Sequence, residues 1–508
     1  MKTLSGVDGA FLHLETAQTP MHVGSLHLFE LPPGYRGDFH AAVKRQIKSR
    51  LRLAPVLTRQ LAPMPLQFAN PAWVEAEAVD LDYHVQAVAL PAAATQADLE
   101  ACTAGLHAQL LERDRPLWRL YVFSGLANGQ AAYYVKVHHA LLDGQAGMQL
   151  AQVLFDLAPR PGRVARGART PAEHPGRIAL AAAALRHDAG LYIKLLRTVP
   201  ELVRTLAGLW GEPAGRPKSK LGSNFAFGPR TPLNVPITAE RGFAALSIPV
   251  DTLQAIASAH AATLNDVVLA LCSGALRHYL ARHGGVPRKP LIAAMPISLR
   301  KAGDTAYTTQ ATLSLVNLNT HVADPLRRLR AIRDAAAAMK GLARNAQGVI
   351  PTDFPTLGVP WLLQAVAALY GRSGITAAIT PIANVVISNV AGPRVPLYAA
   401  GVRTGAARTP AGGPPGAACR MTTYWPLSIV EHGLGLNITV VSYAGAMGFG
   451  FTTARSAVPD ACELPAALQA ALAELLAATP PALAATPARA RAGRTARPAA
   501  SRSTPCAS

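Results

Sequence analysis

The chain has 508 residues, half of them apolar and only 15% charged, so it can bury a large core and global disorder is excluded. Glycine and proline, at 41 each, are too few and too aperiodic for a collagen or a wholly low-complexity chain. Lysine and arginine total 49 against 29 acidic residues, and the formal charge of +20 raises nucleic acid or an anionic membrane as a partner before any motif is considered.

Within residues 1–159, GSLHLFEL (24–31) alternates as a strand, and FHAAVKRQIKSRLRLAPVL (39–57) reads as a helix ending near Pro55. AAYYVKVHHALLDG (131–144) is a strand running into a loop, with helical spacing over 144–157. PRPGRVARGARTPAEHPG (159–176) has the composition of an exposed linker. Over 181–210, Leu185, Tyr192, Leu195, Val199, Leu202, Leu206 and Trp210 share one helical face, while Arg186, Lys194, Arg197 and Arg204 gather on another; Pro200 should kink the helix. Such a helix can lie on anionic lipid. The commoner case is a helix half-buried on its own protein with solvated arginines. Residues 160–238 thus form a basic connection. In residues 239–478 the elements are a strand at 243–250, a helix at 263–284 closed by Gly284 and strands at 290–300 and 384–392. A helix at 324–343, a hairpin-like pair at 434–452 and a last helix at 461–478 complete the set. Residues 479–508 are Ala/Pro/Arg biased and read as disordered.

The positive charge is concentrated. Thirteen basic residues face four acidic ones between Arg160 and Arg230, and the tail adds five arginines and no acid. The linker and tail have few interleaved aromatics and no nucleic-acid fold signature, so nucleic acid is not expected. The five cysteines are odd in number, widely spaced and without a CxxC pair, which argues for free thiols in a reducing compartment. Asp8 and Glu15 interrupt the N-terminal apolar run, and no stretch of about eighteen apolar residues occurs. The expectation is a cytoplasmic protein with neither signal peptide nor membrane span.

The sharpest constellation is His138-His139-Ala140-Leu141-Leu142-Asp143-Gly144. Neighbouring side chains on a strand point to opposite faces, so one histidine can line a site while the other bonds into the framework. A neutral imidazole at a strand end suits a general base for an alcohol or amine. Asp143 is placed to brace the loop, and Gly144 keeps the approach free of a side chain. In isolation the pair also fits a buried histidine followed by a helix-capping aspartate. No metal site is expected, since neither HExxH nor a cysteine partner is present. The lack of a GxSxG elbow, Walker loop or GxGxxG fingerprint weighs against serine hydrolases, NTPases and dinucleotide enzymes.

HHxxxDG is the signature of the coenzyme-A-dependent acyltransferase superfamily, and its companions resemble one branch, the bacterial wax ester synthase/acyl-CoA:diacylglycerol acyltransferases. These are Val7 to Glu15 with Pro20 to Gly24, Pro116-Leu117-Trp118, Asn265-Asp266, Met295 to Arg300, Ser388 to Pro393, Ser442 to Gly445 and Val458 to Asp460, in the family's order over roughly residues 4 to 478. Thr308-Thr309-Gln310 and Leu318-Asn319 depart from the pattern, which has a Gly-Asn pair and then Leu-Pro.

The resemblance implies an α/β chain of two chloramphenicol-acetyltransferase-like domains with a tunnel at their interface. It implies acyl-CoA as co-substrate, no bound cofactor, and diacylglycerol or a long-chain alcohol as acceptor. His139 would be the catalytic base, and Arg300 would pair with Asp143. His138, Gly144, Asn265 and Asp266 would support the site, the last two as a helix start. Pro116, Trp118, Ser298, Asn389 and Gly392 are substrate-channel candidates. A superfamily acyltransferase acting on a polyketide-type alcohol or on carrier-bound substrates is the nearest alternative. The basic fringe fits docking on an anionic membrane or lipid-inclusion surface.

Overall fold

The structure is a computed structural model and describes residues 2–142, 144–160, 175–190, 192–193, 227–298, 311–346, 362, 380–400 and 418–480. Asp143, Arg300, Thr308-Thr309-Gln310, most of the linker and the tail beyond residue 480 lie outside the described residues.

Two sheets organise the chain. The first contains β2 (His22–Glu30), β5 (Val85–Ala94), β6 (Trp118–Leu126) and β7 (Ala131–His138), in spatial order β2-β7-β6-β5. The second runs β10-β9-β11-β15-β16-β8, from β8 (Arg241–Pro249), β9 (Ile292–Ser298), β10 (Ala311–Asn317), β11 (Val385–Val390), β15 (Leu436–Tyr443) and β16 (Ala446–Ala454). A small third sheet joins β1 (Lys2–Thr3), β3 (Arg59–Ala62) and β4 (Ala72–Glu75).

The halves are not separate in space. β12 (Tyr398–Ala399), β13 (Cys419–Met421) and β14 (Trp425–Leu427) come from the C-terminal half yet hydrogen-bond into the first sheet, with β13 and β14 both on β2. A division by sequence at residue 239 therefore does not divide the sheets. Glycines make the crossing sterically feasible. A Cβ at Gly448 would come 2.2 Å from the Tyr424 carbonyl oxygen, and one at Gly450 1.8 Å from that of Pro426. The alternation Met-Gly-Phe-Gly-Phe in β16 thus leaves a bare track on which β14 lies, while Met447, Phe449 and Phe451 fill the core on the opposite face.

Helix boundaries follow local chemistry. α1 (Gly6–Leu14) is capped by the Ser5 hydroxyl, which accepts from the Asp8 amide. α2 (Phe39–Arg50) stops earlier than its apolar spacing predicts, giving way to two 3-10 turns, the second begun by Pro55. α3 (Leu81–His84) and α4 (Gln96–Ala108) precede β6, and α5 (Gly144–Leu154) follows β7. α6 (Val250–Ala259) and α7 (Leu264–Arg282) come next. Thr263 and Asp266 form a reciprocal capping box at the start of α7, and Gly284, at φ +90°, lies just past its end. α8 (Pro325–Ala346) and α9 (Glu463–Ala478) pack with α7 to bury one face of the second sheet. β15 and β16 turn through Ala444 and Gly445, both at positive φ, as a two-residue hairpin requires. Among the described residues no single helix is long and apolar enough to cross a membrane.

Candidate active site

β7 carries the site because its two faces do different work. Tyr134, Lys136 and His138 point to one side, and Tyr133, Val135 and Val137 to the other, which His139 joins just past the strand end. The second side opens on a cavity of about 240 Å³ between the two sheets. Val23, Val135, Val137 and α5 residues Met148, Leu150 and Leu154 line the wall on the side of the first sheet. Val386, Ser388, Asn389, Asn437, Thr439 and Val441 line the opposite wall. One wall is therefore mostly apolar, and the other mixes apolar groups with hydroxyls and amides.

His139 lies at one end of this cavity, half-buried, its ring stacked on Phe11 at 4.0 Å between centroids and 20° between planes. Its backbone amide donates to the Met21 carbonyl at 2.8 Å. His138 is fully buried behind the sheet. The Ala140 amide donates to its Nδ1 at 3.0 Å, so the proton sits on Nε2, 3.4 Å from Glu15 Oε1. His22, paired with His138 across the strands, presents its own Nε2 to the same oxygen at 3.3 Å. Glu15 also accepts from the Met21 amide at 3.1 Å and from Arg113 at 2.9 Å.

Burial alone would raise the Glu15 carboxyl, but hydrogen bonds from His138 and His22 hold it well below the usual carboxylate range. Burial pushes His22 down to about 4 and Lys136 down to about 7, with Arg119 adding to the latter shift and Glu15 opposing it. Lys136 donates to the carbonyls of Leu106 and Gln109, and His107 contacts the Tyr134 hydroxyl at 2.6 Å. This buried network fixes the strand end from behind while His139 faces the cavity.

The other sequence-derived candidates divide by position. Asn389 lines the cavity, its amide donating to Asn265 Oδ1 at 3.1 Å from the start of α7. Asp266 closes the capping box. Trp118 does not reach the cavity: its indole donates to the Leu57 carbonyl at 2.8 Å and stacks on His84 in the core. Pro116 is buried in the turn before it and accepts from the Trp118 amide. Gly392 is also off the cavity wall, and a Cβ there would come 2.2 Å from the Ser442 carbonyl oxygen. Gly144 is the first residue of α5, and Ser298 the last of β9. Glu15, His22 and Phe11 stand in the N-terminal string, but their convergence on the two histidines is a tertiary fact. Ser25, His27 and Tyr424 in the cavity wall had no sequence signal beyond strand alternation. Among the described residues no cluster of three or more His, Cys, Asp or Glu could hold a metal ion.

Comparison with solved structures first defines the class. The starter condensation domain of rhizomide synthetase superposes with a TM-score of 0.51 at 13% identity, over 94% of this chain and 95% of that chain, which shows a shared fold. A wax ester synthase/diacylglycerol acyltransferase from Marinobacter aquaeolei VT8 matches with a TM-score of 0.65 and 28% identity, over 94% of this chain and 100% of that chain. A putative diacylglycerol O-acyltransferase of Mycobacterium tuberculosis strain H37Rv is 35% identical over 474 residues, covering 93% of this chain and 99% of that protein. One from Mycobacterium bovis is 35% identical over 482 residues, covering 92% and 97%. The wax ester synthase/diacylglycerol acyltransferase catalytic domain matches residues 4–268, and the C-terminal domain of the same family residues 309–476. The chain belongs to the wax ester synthase/diacylglycerol acyltransferase family and is an O-acyltransferase.

Proposed function

We propose that this enzyme moves a long-chain acyl group from acyl-CoA to the hydroxyl of diacylglycerol or of a long-chain alcohol, with His139 as the general base. The observation that carries the reading is the placement of His139: of the two adjacent histidines, it alone faces the cavity between the sheets. The acceptor hydroxyl gives its proton to the imidazole as its oxygen attacks the thioester carbonyl. Collapse of the tetrahedral intermediate breaks the C–S bond, and the imidazolium returns the proton to the leaving sulfur. The products are an ester and free coenzyme A, with no acyl-enzyme. A positioned base supplies about a hundred- to ten-thousand-fold. Holding both substrates in a largely apolar cavity supplies further acceleration.

In this reading the cavity is part of a tunnel reached by acyl-CoA from one side and the lipid alcohol from the other. Asp143 braces the histidine loop by pairing with Arg300. The basic linker rests on an anionic membrane or lipid inclusion. Two exposed apolar side chains, Ile178 and Leu185, beside exposed Arg177 and Arg186, support that last point. The decisive experiment incubates the protein with palmitoyl-CoA and either hexadecanol or diacylglycerol, following thiol release and neutral-lipid products. His139→Ala should lose nearly all transfer while keeping its fold. Retention of most activity, or no thiol release by the unaltered protein with either acceptor, would sink the assignment.

A further inference from the structure

Along β2, leading away from His139, the cavity wall changes character. Ser25 and His27 project from this strand, and Tyr424 faces them from the segment leading into β14. All three are buried. His27 packs edge-on against Tyr424 with ring centroids 4.4 Å apart, and also meets Tyr133 and Phe155.

The protons of this cluster can be assigned. His27 Nδ1 lies 3.3 Å from the Thr423 carbonyl, which only accepts, so Nδ1 carries the hydrogen. Its Nε2 is then an acceptor, and the Ser25 hydroxyl, 2.8 Å away, donates to it. Burial holds the His27 imidazole down to about 3, so it stays neutral. Burial likewise pushes the Tyr424 phenol up to about 12, so it keeps its proton. With the Ser25 proton committed to His27, the serine oxygen can only accept, whereas the Tyr424 hydroxyl can donate or accept. A ligand hydroxyl matches both, donating to Ser25 and accepting from Tyr424, while a ketone or ester leaves the serine oxygen unmatched.

Register sets the distance. Ser25 pairs with Val135, four residues before His139, which is about 13 Å along the strand. An extended chain advances about 1.2 Å per bond, the backbone's reach divided by three bonds per residue, so 13 Å is about ten or eleven bonds.

We propose that Ser25, His27 and Tyr424 form a subsite for a hydroxyl carried on a long-chain substrate about ten bonds from its reacting carbon. The inference rests on the proposed function, in which a long chain fills this cavity. The hydroxyl can arrive on the acyl chain or on the alcohol. The test therefore has two arms: plain, mid-chain hydroxy and mid-chain keto forms of palmitoyl-CoA with hexadecanol as acceptor, then palmitoyl-CoA with hexadecanol and its mid-chain hydroxy and keto forms. The readout is the ratio of kcat/KM values, which a general loss of activity does not move. One neutral hydrogen bond predicts a hydroxyl-over-keto preference of about three- to tenfold on one arm. Ser25→Val removes the serine lone pairs and keeps His27 covered with a strand-forming side chain; Ser25→Ala removes the same oxygen with less bulk and serves if the first variant fails to fold. Either should bring the ratio to about one. A ratio of one in the unaltered protein on both arms, or a preference that survives in both variants, overturns the proposal. Failure to turn over palmitoyl-CoA with any acceptor overturns the proposed function instead, and this subsite with it.

Discussion

Replacing Glu15 with alanine should damage the protein in two separable ways. The carboxylate is almost wholly buried and gathers His138, Arg113 and the Met21 amide as donors, with the His22 ring against the same oxygen. Its loss leaves the buried His138 N–H and the Met21 amide without an acceptor and His22 without its carboxylate neighbour. Each orphaned donor costs about 1–3 kcal/mol, but Arg113 is half exposed and can turn to water, so the expected sum is about 3–5 kcal/mol. Glu15→Gln keeps one acceptor oxygen for the histidines and should cost about 1–2 kcal/mol. The pH dependence has a definite sign. The folded carboxyl is held below its ordinary value of 4.5, so its stabilisation is complete above that pH and is lost as pH falls toward the depressed folded value. Urea unfolding at several pH values should therefore show a constant gap between Glu15→Ala and the unaltered protein from pH 6 to 8, closing below about 4.5. The second effect is on rate. Glu15 accepts from the Met21 amide, and the Met21 carbonyl accepts from that of His139. Misplacing a catalytic side chain by about 1 Å costs roughly a hundredfold, so kcat should fall about 10- to 100-fold, with a smaller change in KM. A Glu15→Ala variant with an unchanged urea midpoint and full kcat would refute the whole account of the network.

Three further outcomes can be checked. Glu100, buried between α4 and β8, accepts from Gln96 and from the Ala245 amide, and burial raises its pKa to about 7. Its stabilisation is present below 4.5 and lost as pH rises through about 7, so Glu100→Gln should be more stable than the unaltered protein by about 2–3 kcal/mol at pH 8 and nearly equal to it at pH 4.5, by denaturant titration. His22 and His27, held down to about 4 and about 3 from 6.5, act in the other direction. Each stabilises the fold fully above 6.5 and loses that contribution as pH falls, so acid unfolding should begin below about pH 6 and shift lower in His22→Gln; an unshifted midpoint counts against it. Gly450→Ala would drive a methyl group into the Pro426 carbonyl and displace β14, costing about 3 kcal/mol or more and reducing transfer; a melting temperature equal to that of the unaltered protein would contradict the packing described.

Much of the fold was legible because the signals were local. The Thr263–Asp266 capping box, Gly284, and the Ala444-Gly445 turn each announce an element within a few residues. The opposite orientation of His138 and His139 followed from strand alternation alone. What stayed hidden was long-range. Nothing near residues 398–427 says that these short strands pair with β2, some 400 residues earlier in the chain. Trp118 reads equally well as a pocket wall and as core, and only its bond to Leu57 decides for core. Glu15 looked like a break in an apolar run; its function appears only when α1, β2 and β7 meet.

The crossing of β14 explains why the cavity cannot belong to either half. Pro426, Leu427 and Ser428 line it from the C-terminal half, yet Pro426 and Leu427 pair with Ser25 and Gly24 of β2. The His107 ring reaches across to the Ser428 carbonyl at 3.1 Å, so the polar network behind β7 touches the same segment. His139 is thus held by elements whose positions depend on both sheets. Anything that shifts β14 on the glycine track of β16 moves the cavity wall and disturbs the network behind His139, the proposed base. Substrate fit and catalytic geometry are therefore coupled through one three-residue strand, and a lesion there should lower kcat and raise KM together, whereas one confined to the Glu15 cluster should fall chiefly on kcat.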